Sequence, residues 1–149
     1  MEVRRAQPGD AEAVAEIFVR SFGSLDFLPP VHTDDEHRAF VRDVVLREQE
    51  VWVAADAGVP VGFAALSGDV LMHLYVDPDA QGRGVGTALL ERVRKRRPDG
   101  FTFWVFQPNT PARRFYERHG CRVVRLTDGS GNEERTPDAL YEWRPPERC

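Results

Sequence analysis

Apolar residues near the start of the chain recur every three to four positions. Ala11, Val14, Ala15, Phe18, Val19 and Phe22 fall on one face of a helix with 3.6 residues per turn. Pro8-Gly9-Asp10 opens that helix and Gly23 ends it, while residues 1–6 read as a short first strand. Residues 24–32 carry Pro29-Pro30 and predict a loop. Thr33-Asp34-Asp35-Glu36 is a capping box: the Thr33 hydroxyl accepts from the amide three residues on, and Glu36 reaches back. It starts a second helix, with Phe40, Val41, Val44 and Val45 expected inward. The period then drops to two. Residues 51–55, 59–66 and 70–76 are β-type runs separated by Asp56-Ala57-Gly58 and Ser67-Gly68-Asp69, and Pro78 stops the third. Alternation along this third run puts Leu71, His73 and Tyr75 on one face and Met72, Leu74 and Val76 on the other.

A Gly-rich loop, residues 81–86, leads into a helix with Val85, Ala88, Leu89 and Val93 on one side, broken by Pro98-Asp99-Gly100. Residues 101–106 form an apolar strand. Thr110-Pro111 opens another helix, which Gly120 closes. Residues 123–126 and 139–143 are late strands, and the polar stretch 127–137 between them is expected to be a long mobile loop. The order β-α-α-β-β-β-α-β-α-β-β predicts an α/β fold in one domain over residues 1–149. Its mixed sheet has six to seven strands and helices on both faces. The middle strands form an antiparallel meander, and the step from residues 70–76 to 101–106 is a right-handed parallel crossover.

Composition changes this picture little. The 149 residues are 42% hydrophobic and 30% charged, with net charge −4, which argues against non-specific nucleic-acid binding. No apolar run approaches the ~20 residues of a membrane span, and the first residues lack the apolar centre of a signal peptide, so a cytoplasmic location without a membrane partner is expected. The two cysteines, Cys121 and Cys149, either form a disulfide or stay reduced, and the reduced state fits the expected compartment. No spacing of His, Cys, Asp and Glu suggests a metal site.

The candidate chemistry lies at the Gly-rich loop. A strand ends at Val76, and a helix starts among Gln81, Gly82, Arg83, Gly84, Val85, Gly86 and Thr87. Helix starts leave amides unpaired and carry partial positive charge, and glycines let an anion approach them closely. The segment lacks the lysine of a nucleotide-triphosphate loop, and Thr87 stands where a dinucleotide fingerprint has its third glycine.

Gln81-Gly82-Arg83-Gly84-Val85-Gly86 matches the motif Gln/Arg-x-x-Gly-x-Gly/Ala. With Leu74-Tyr75-Val76-Asp77-Pro78 before it and the run from Asn109 to Gly120 after it, the chain resembles the GNAT superfamily of N-acetyltransferases. The resemblance implies that amides from Gln81 to Thr87 bind the pyrophosphate of acetyl-CoA. It also implies that the pantetheine arm pairs with backbone at Leu74 and Val76, past Tyr75, and that Asn109 contacts that arm. Tyr116 matches the family tyrosine near the thioester sulfur, with a proposed role as general acid, although it also suits a core position. It further implies that an acceptor amine, expected to be a small cationic amine or a protein amine, attacks the thioester carbonyl directly in a ternary complex.

His73 and Glu133 are candidate bases, and Glu134, His32 and Phe27 are candidate acceptor-side residues. His37 is expected on an exposed helix face. Phe18, Phe22 and Leu28 either wall the acceptor side or are core. The basic run Arg92, Arg94, Lys95, Arg96 and Arg97 suits a helix C-terminus or attracts the coenzyme 3′-phosphate, for which Arg113 and Arg114 are alternatives. Trp52, Trp104 and Trp143 are read as core or interface. Late strands often pair between subunits in this family, so a homodimer is a further expectation. The competing readings are a non-catalytic acyl-CoA sensor and a nucleotide-binding regulatory domain.

Overall fold

A computed structural model describes residues 1–146; Cys149, and with it the Cys121–Cys149 pairing, lies outside the described residues. The strands are β1 (Glu2–Arg5), β2 (Glu50–Asp56), β3 (Val59–Ser67), β4 (Val70–Val76), β5 (Phe101–Phe106), β6 (Arg122–Leu126) and β7 (Asp138–Trp143). They form one sheet in the order β1-β2-β3-β4-β5-β7-β6, antiparallel except at β4/β5. The helices are α1 (Ala11–Gly23), α2 (Asp34–Phe40), α3 (Leu46–Glu48), α4 (Val85–Arg96) and α5 (Thr110–Arg118). The capping box forms as expected: Thr33 Oγ1 accepts from the Glu36 amide at 3.1 Å, and Glu36 accepts from the Thr33 amide at 2.8 Å.

Alternation sorts the sheet's side chains into two cores. On one face α1 and the segment after α2 cover Val51, Val53, Phe63 and Ala65 with Val14, Ile17, Phe18, Val41 and Val45. On the other, α4 and α5 cover Ala64, Leu66, Leu71, Phe103 and Tyr141 with Val85, Leu89, Val93 and Tyr116. Gly62 on β3 permits the second packing. A Cβ there would lie 2.8 Å from Val85 Cγ1, so its absence lets the first residue of α4 rest on the strand.

Three local expectations are corrected. The second helix widens into a π-helix at Val41–Val45, which buries Val41 and Val45 but leaves Phe40 37% exposed beside Phe18 and His73. In β4, Ala65 pairs His73 and Leu66 pairs Leu71, so Met72 is an extra, bulged residue. An extra residue shifts the two-residue period by one. Leu71 therefore joins the α4 core, on the face opposite His73 and Tyr75. Finally, the 127–137 stretch is tied down. Asn132 Nδ2 donates to Thr136 O and to Asp138, and Gln107 Nε2 donates to the carbonyls of Thr127 and Asp138.

The parallel pair that positions the site barely forms. β4 and β5 are in register only at Val70 and Thr102, where the Thr102 amide donates to Asp69 O at 3.1 Å. Beyond that point the strands diverge.

Candidate active site

The anion cradle is built by the turn after β4. The Asp77 carboxylate accepts from the Asp79 amide at 2.9 Å, Pro78 opens a 3-10 turn, and Ala80 is buried beneath it. Gly82 (φ 81°) and Gly84 (φ 79°) take left-handed conformations that side chains disfavour, and these aim the chain into α4. Gly84 is the N-cap and supplies no side-chain cap; the Ala88 amide is the one that returns to Gly84 O. The amides of Val85, Gly86 and Thr87 thus lack helical partners at the mouth of the cleft. Gly86 has a different reason to be glycine: a Cβ would sit 3.2 Å from the Phe115 ring, so it lets α4 and α5 approach. Arg20 of α1 braces the turn through Asp77 (2.9 Å) and Asp79 (2.7 Å), and Ser21 Oγ donates to Val76 O at 2.9 Å.

The divergent strands supply the walls. The Asp77 amide donates to Val61 O, so in this register His73 and Tyr75 bond to β3, while Leu74 and Val76 turn their backbone groups toward β5. On β5, the Gln107 amide donates to Pro137 O, which by the same parity commits Phe103 and Val105 to β7 and leaves Trp104 and Phe106 facing the gap. A cleft of about 530 Å³ runs from the Gly-rich turn to a slot of about 90 Å³ between β4 and β5. Leu25, Leu74, Tyr75, Asn109, Ala112 and Tyr116 line both.

Tyr116 stands where cleft and slot meet, 8% exposed, its ring 4.3 Å from that of Phe103. Burial pushes its phenol above the ordinary tyrosine range, so it stays protonated. Asn109 caps α5 through Oδ1, which accepts from the Ala112 amide at 3.3 Å. Buried Cys121 has its thiol pushed up to about 11 by burial, so it presents no thiolate.

On the α1 side, Phe18, Phe40, Phe63 and Tyr75 ring His73 at centroid distances of 5.7 to 6.5 Å. Burial lowers His73 to about 4, and its Nε2 is sealed without a partner. His37 is half-buried against Phe18 and Phe22 rather than on an exposed face, and burial lowers its pKa. The 24–33 segment straps this side: Phe27 meets Phe106 at 6.0 Å, and His32 Nε2 lies 3.2 Å from Glu133. The Glu133 hydrogen bond, with Glu36 3.6 Å from Nδ1, raises the His32 pKa. Glu134 is half-buried, and its charge acts on both Tyr75 and His37.

Several expected cations point elsewhere. Arg113 donates to Tyr141 Oη at 3.0 Å, away from the cleft, and Arg83 is exposed and outside its lining. Arg96 binds Glu50 at 2.7 Å, Arg97 binds Gly68 O at 2.6 Å, Arg92 lies over Trp52, and Arg94 bonds His119 O. Trp104 is 45% exposed under Arg125, so it is not core. The sequence reading missed Arg118, which does line the cleft. It lies one turn beyond Phe115, another lining residue, and that i+3 offset was the available signal. Among the described residues no cluster of His, Cys, Asp and Glu could hold a metal, and no helix is long and apolar enough to cross a membrane.

Comparison with known proteins agrees with this architecture. The family model described as an acetyltransferase (GNAT) domain matches residues 47–122. The peptidyl-lysine N-acetyltransferase YjaB of Salmonella typhimurium is 34% identical over 129 residues, 83% of this chain and 85% of that protein. The solution structure of apo YjaB from Escherichia coli superposes with TM-score 0.80 at 29% identity, covering 97% of this chain and 98% of that one. The structure of yncA from Salmonella typhimurium with its cofactor acetyl-CoA shares the fold at TM-score 0.75 and 20% identity, covering 100% of this chain and 96% of that one. With a turn of free amides opening α4, a sheet parted beside it and these relatives, the chain belongs to the GNAT acetyltransferase family.

Proposed function

We propose that this chain transfers an acetyl group from acetyl-CoA to the side-chain amine of a lysine in a peptide or protein. The observation that carries the reading is the continuity of one cleft. Free amides at Val85–Thr87 meet a diphosphate, backbone of Leu74 and Val76 without a strand partner meets an amide-bearing arm, and Tyr116 stands at the far end. The yncA structure with acetyl-CoA supports the donor, and the name of YjaB supports a lysine acceptor.

Bound acetyl-CoA supplies a thioester whose carbonyl carbon is the electrophile for a neutral amine. The Tyr116 hydroxyl donates a hydrogen bond to the departing sulfur. A phenol near ~10, raised further by burial, does not fully surrender its proton to a thiolate near ~8.5, so stabilising developing charge is its larger contribution. His73, at about 4, is neutral at physiological pH and a feeble base toward an ammonium near ~10.4; it forms a wall of the acceptor slot. The half-buried Glu134 carboxylate, whose charge acts on Tyr75, attracts the cationic amine, which gives its proton to water before attack, while Glu133 holds the strap through His32. Leu25, Tyr75 and Phe106, which line the slot, offer an apolar surface that suits the methylene stem of lysine.

The test is thiol release from acetyl-CoA with a lysine peptide, the same peptide lacking lysine, a polyamine and a neutral amine. Turnover confined to the lysine peptide is expected, with Tyr116→Phe slowing kcat about 100-fold at unchanged coenzyme affinity. Coenzyme binding without turnover on any amine would instead identify an acyl-CoA sensor, and turnover with the polyamine alone would reassign the acceptor.

A further inference from the structure

We propose that Arg118 binds the 3′-phosphate of the coenzyme, an assignment that rests on the acetyl-CoA reading above. Backbone amides at the start of α4 suit a diphosphate, but coenzyme A carries a third phosphate, a monoester dianion on its ribose. A dianion left against an acidic protein calls for a cation. Among the described residues, Arg118 is the one cationic side chain lining the cleft.

Arg83 and Arg114 are exposed and outside the cleft lining, and the remaining nearby cations have other partners. Arg113 serves Tyr141 and Gln107 O, and Arg20 serves Asp77 and Asp79. Arg94 serves His119 O and the Trp143 face, while Arg96 and Arg97 serve Glu50 and Gly68. The basic run of α4 therefore lies outside the cleft, although its composition suggests phosphate binding.

The position of Arg118 is fixed relative to the amide cradle. His119 Nδ1 lies 2.8 Å from Phe115 O, an acceptor, so Nδ1 carries the proton. In the neutral ring Nε2 then accepts, and the Thr87 hydroxyl, 3.2 Å away, donates to it. This bridge ties the end of α5 to the first turn of α4. The backbone of Arg118 is thereby held one residue from a group anchored to the cradle itself, and its exposed side chain reaches the cleft from there. Its planar fork matches a phosphate monoester better than a lysine would.

The experiment is equilibrium binding by calorimetry of coenzyme A and 3′-dephospho-coenzyme A to the wild type, Arg118→Ala and Arg118→Lys, with Arg114→Ala as an exposed neighbouring control. Arg118→Ala is expected to weaken coenzyme A about 10- to 100-fold, and to leave 3′-dephospho-coenzyme A unchanged. Arg118→Lys should fall between wild type and Arg118→Ala. Arg114→Ala should match the wild type for both ligands. Equal weakening of both ligands by Arg118→Ala would move the arginine to the diphosphate and overturn the assignment, as would no weakening of either. If the wild type bound neither ligand, the acetyl-CoA reading would fail, a result distinct from failure of Arg118 alone.

Discussion

At the residue scale, two glycines, one capping a helix and one inside a strand, illustrate what a pattern of residues reveals and what it conceals. Gly84 stands in a Gly-rich run at a helix start, and its left-handed φ of 79° is the conformation such a run advertises. Gly62 lies within an ordinary apolar strand, Val59–Ser67, and nothing local marks it. Its importance comes from a neighbour distant in sequence. A methyl there would meet Val85 Cγ1 at 2.8 Å, Leu89 Cδ1 at 3.1 Å and the Tyr75 carbonyl at 3.1 Å. Since the carbonyl cannot yield without moving β4, Gly62→Ala should cost about 1–3 kcal/mol in urea unfolding. It should also weaken coenzyme A in calorimetry, because the amides of α4 shift against Leu74 and Val76. Gly86→Ala meets the Phe115 ring at 3.2 Å, a side chain rather than a backbone carbonyl and one that need yield only a few tenths of an ångström, and should be the milder variant. Wild-type stability and affinity in Gly62→Ala would show that α4 does not depend on this close approach. The same contrast separates Arg113 from Arg118. Both are basic residues of one helix, and only the packing of α5 decides which faces the cleft.

At the element scale, the end of α4 is fastened to the start of β2. Glu50 accepts from Arg96 at 2.7 Å and from Trp52 Nε1 at 2.8 Å, with Arg97 3.5 Å away. The hydrogen bond from Arg96, aided by Trp52 and by both guanidinium charges, holds the Glu50 carboxyl at about 2, below its ordinary 4.5. A carboxylate whose folded pKa is depressed stabilises the fold above its unfolded pKa, and that contribution disappears as pH falls through the folded value. Glu50→Gln should therefore lower the urea midpoint at neutral pH. The gap from wild type should narrow between about pH 4.5 and about pH 2, where both proteins carry a neutral side chain. A gap constant over that range would show that packing, not charge, fastens α4. The type and order of the elements were legible in the sequence because periodicity and caps are local: the capping box at Thr33 and the switch to period two at Val51 suffice. Three features were not. The bulge at Met72 is set by pairing with β3, and the π-helix at Val41–Val45 by fitting two valines under the sheet. The order of the 127–137 stretch depends on Gln107 and Asn132 meeting its carbonyls. Each is a tertiary fact that no window of sequence contains.

At the scale of the whole molecule, the sheet consists of two parts. β1 to β4 form one ladder and β5, β7 and β6 another, and between them the register is a single residue pair, Val70 with Thr102. What otherwise joins the parts is the core beneath α4 and α5, where Leu71, Leu89, Phe103, Tyr116 and Tyr141 share one cluster. The parting is the same feature that leaves backbone groups of Leu74, Val76 and Trp104 without strand partners, so the opening in the fold and the binding site are one structure. A ligand arm lying in the gap would stand in for the missing ladder. It follows that bound coenzyme should slow amide hydrogen exchange most at Leu74, Val76 and Trp104. With ligand at about 100 times its Kd, linkage sets a general stabilisation of about 2.7 kcal/mol, roughly a 100-fold slowing for amides that exchange through global opening. The gap-facing amides, exposed by local rather than global motion in the free protein, should gain protection in addition and lead that change. If coenzyme raised the melting temperature while these three amides exchanged as before, the arm would have to lie elsewhere. The divergence of β4 from β5 would then be a feature of folding rather than of binding.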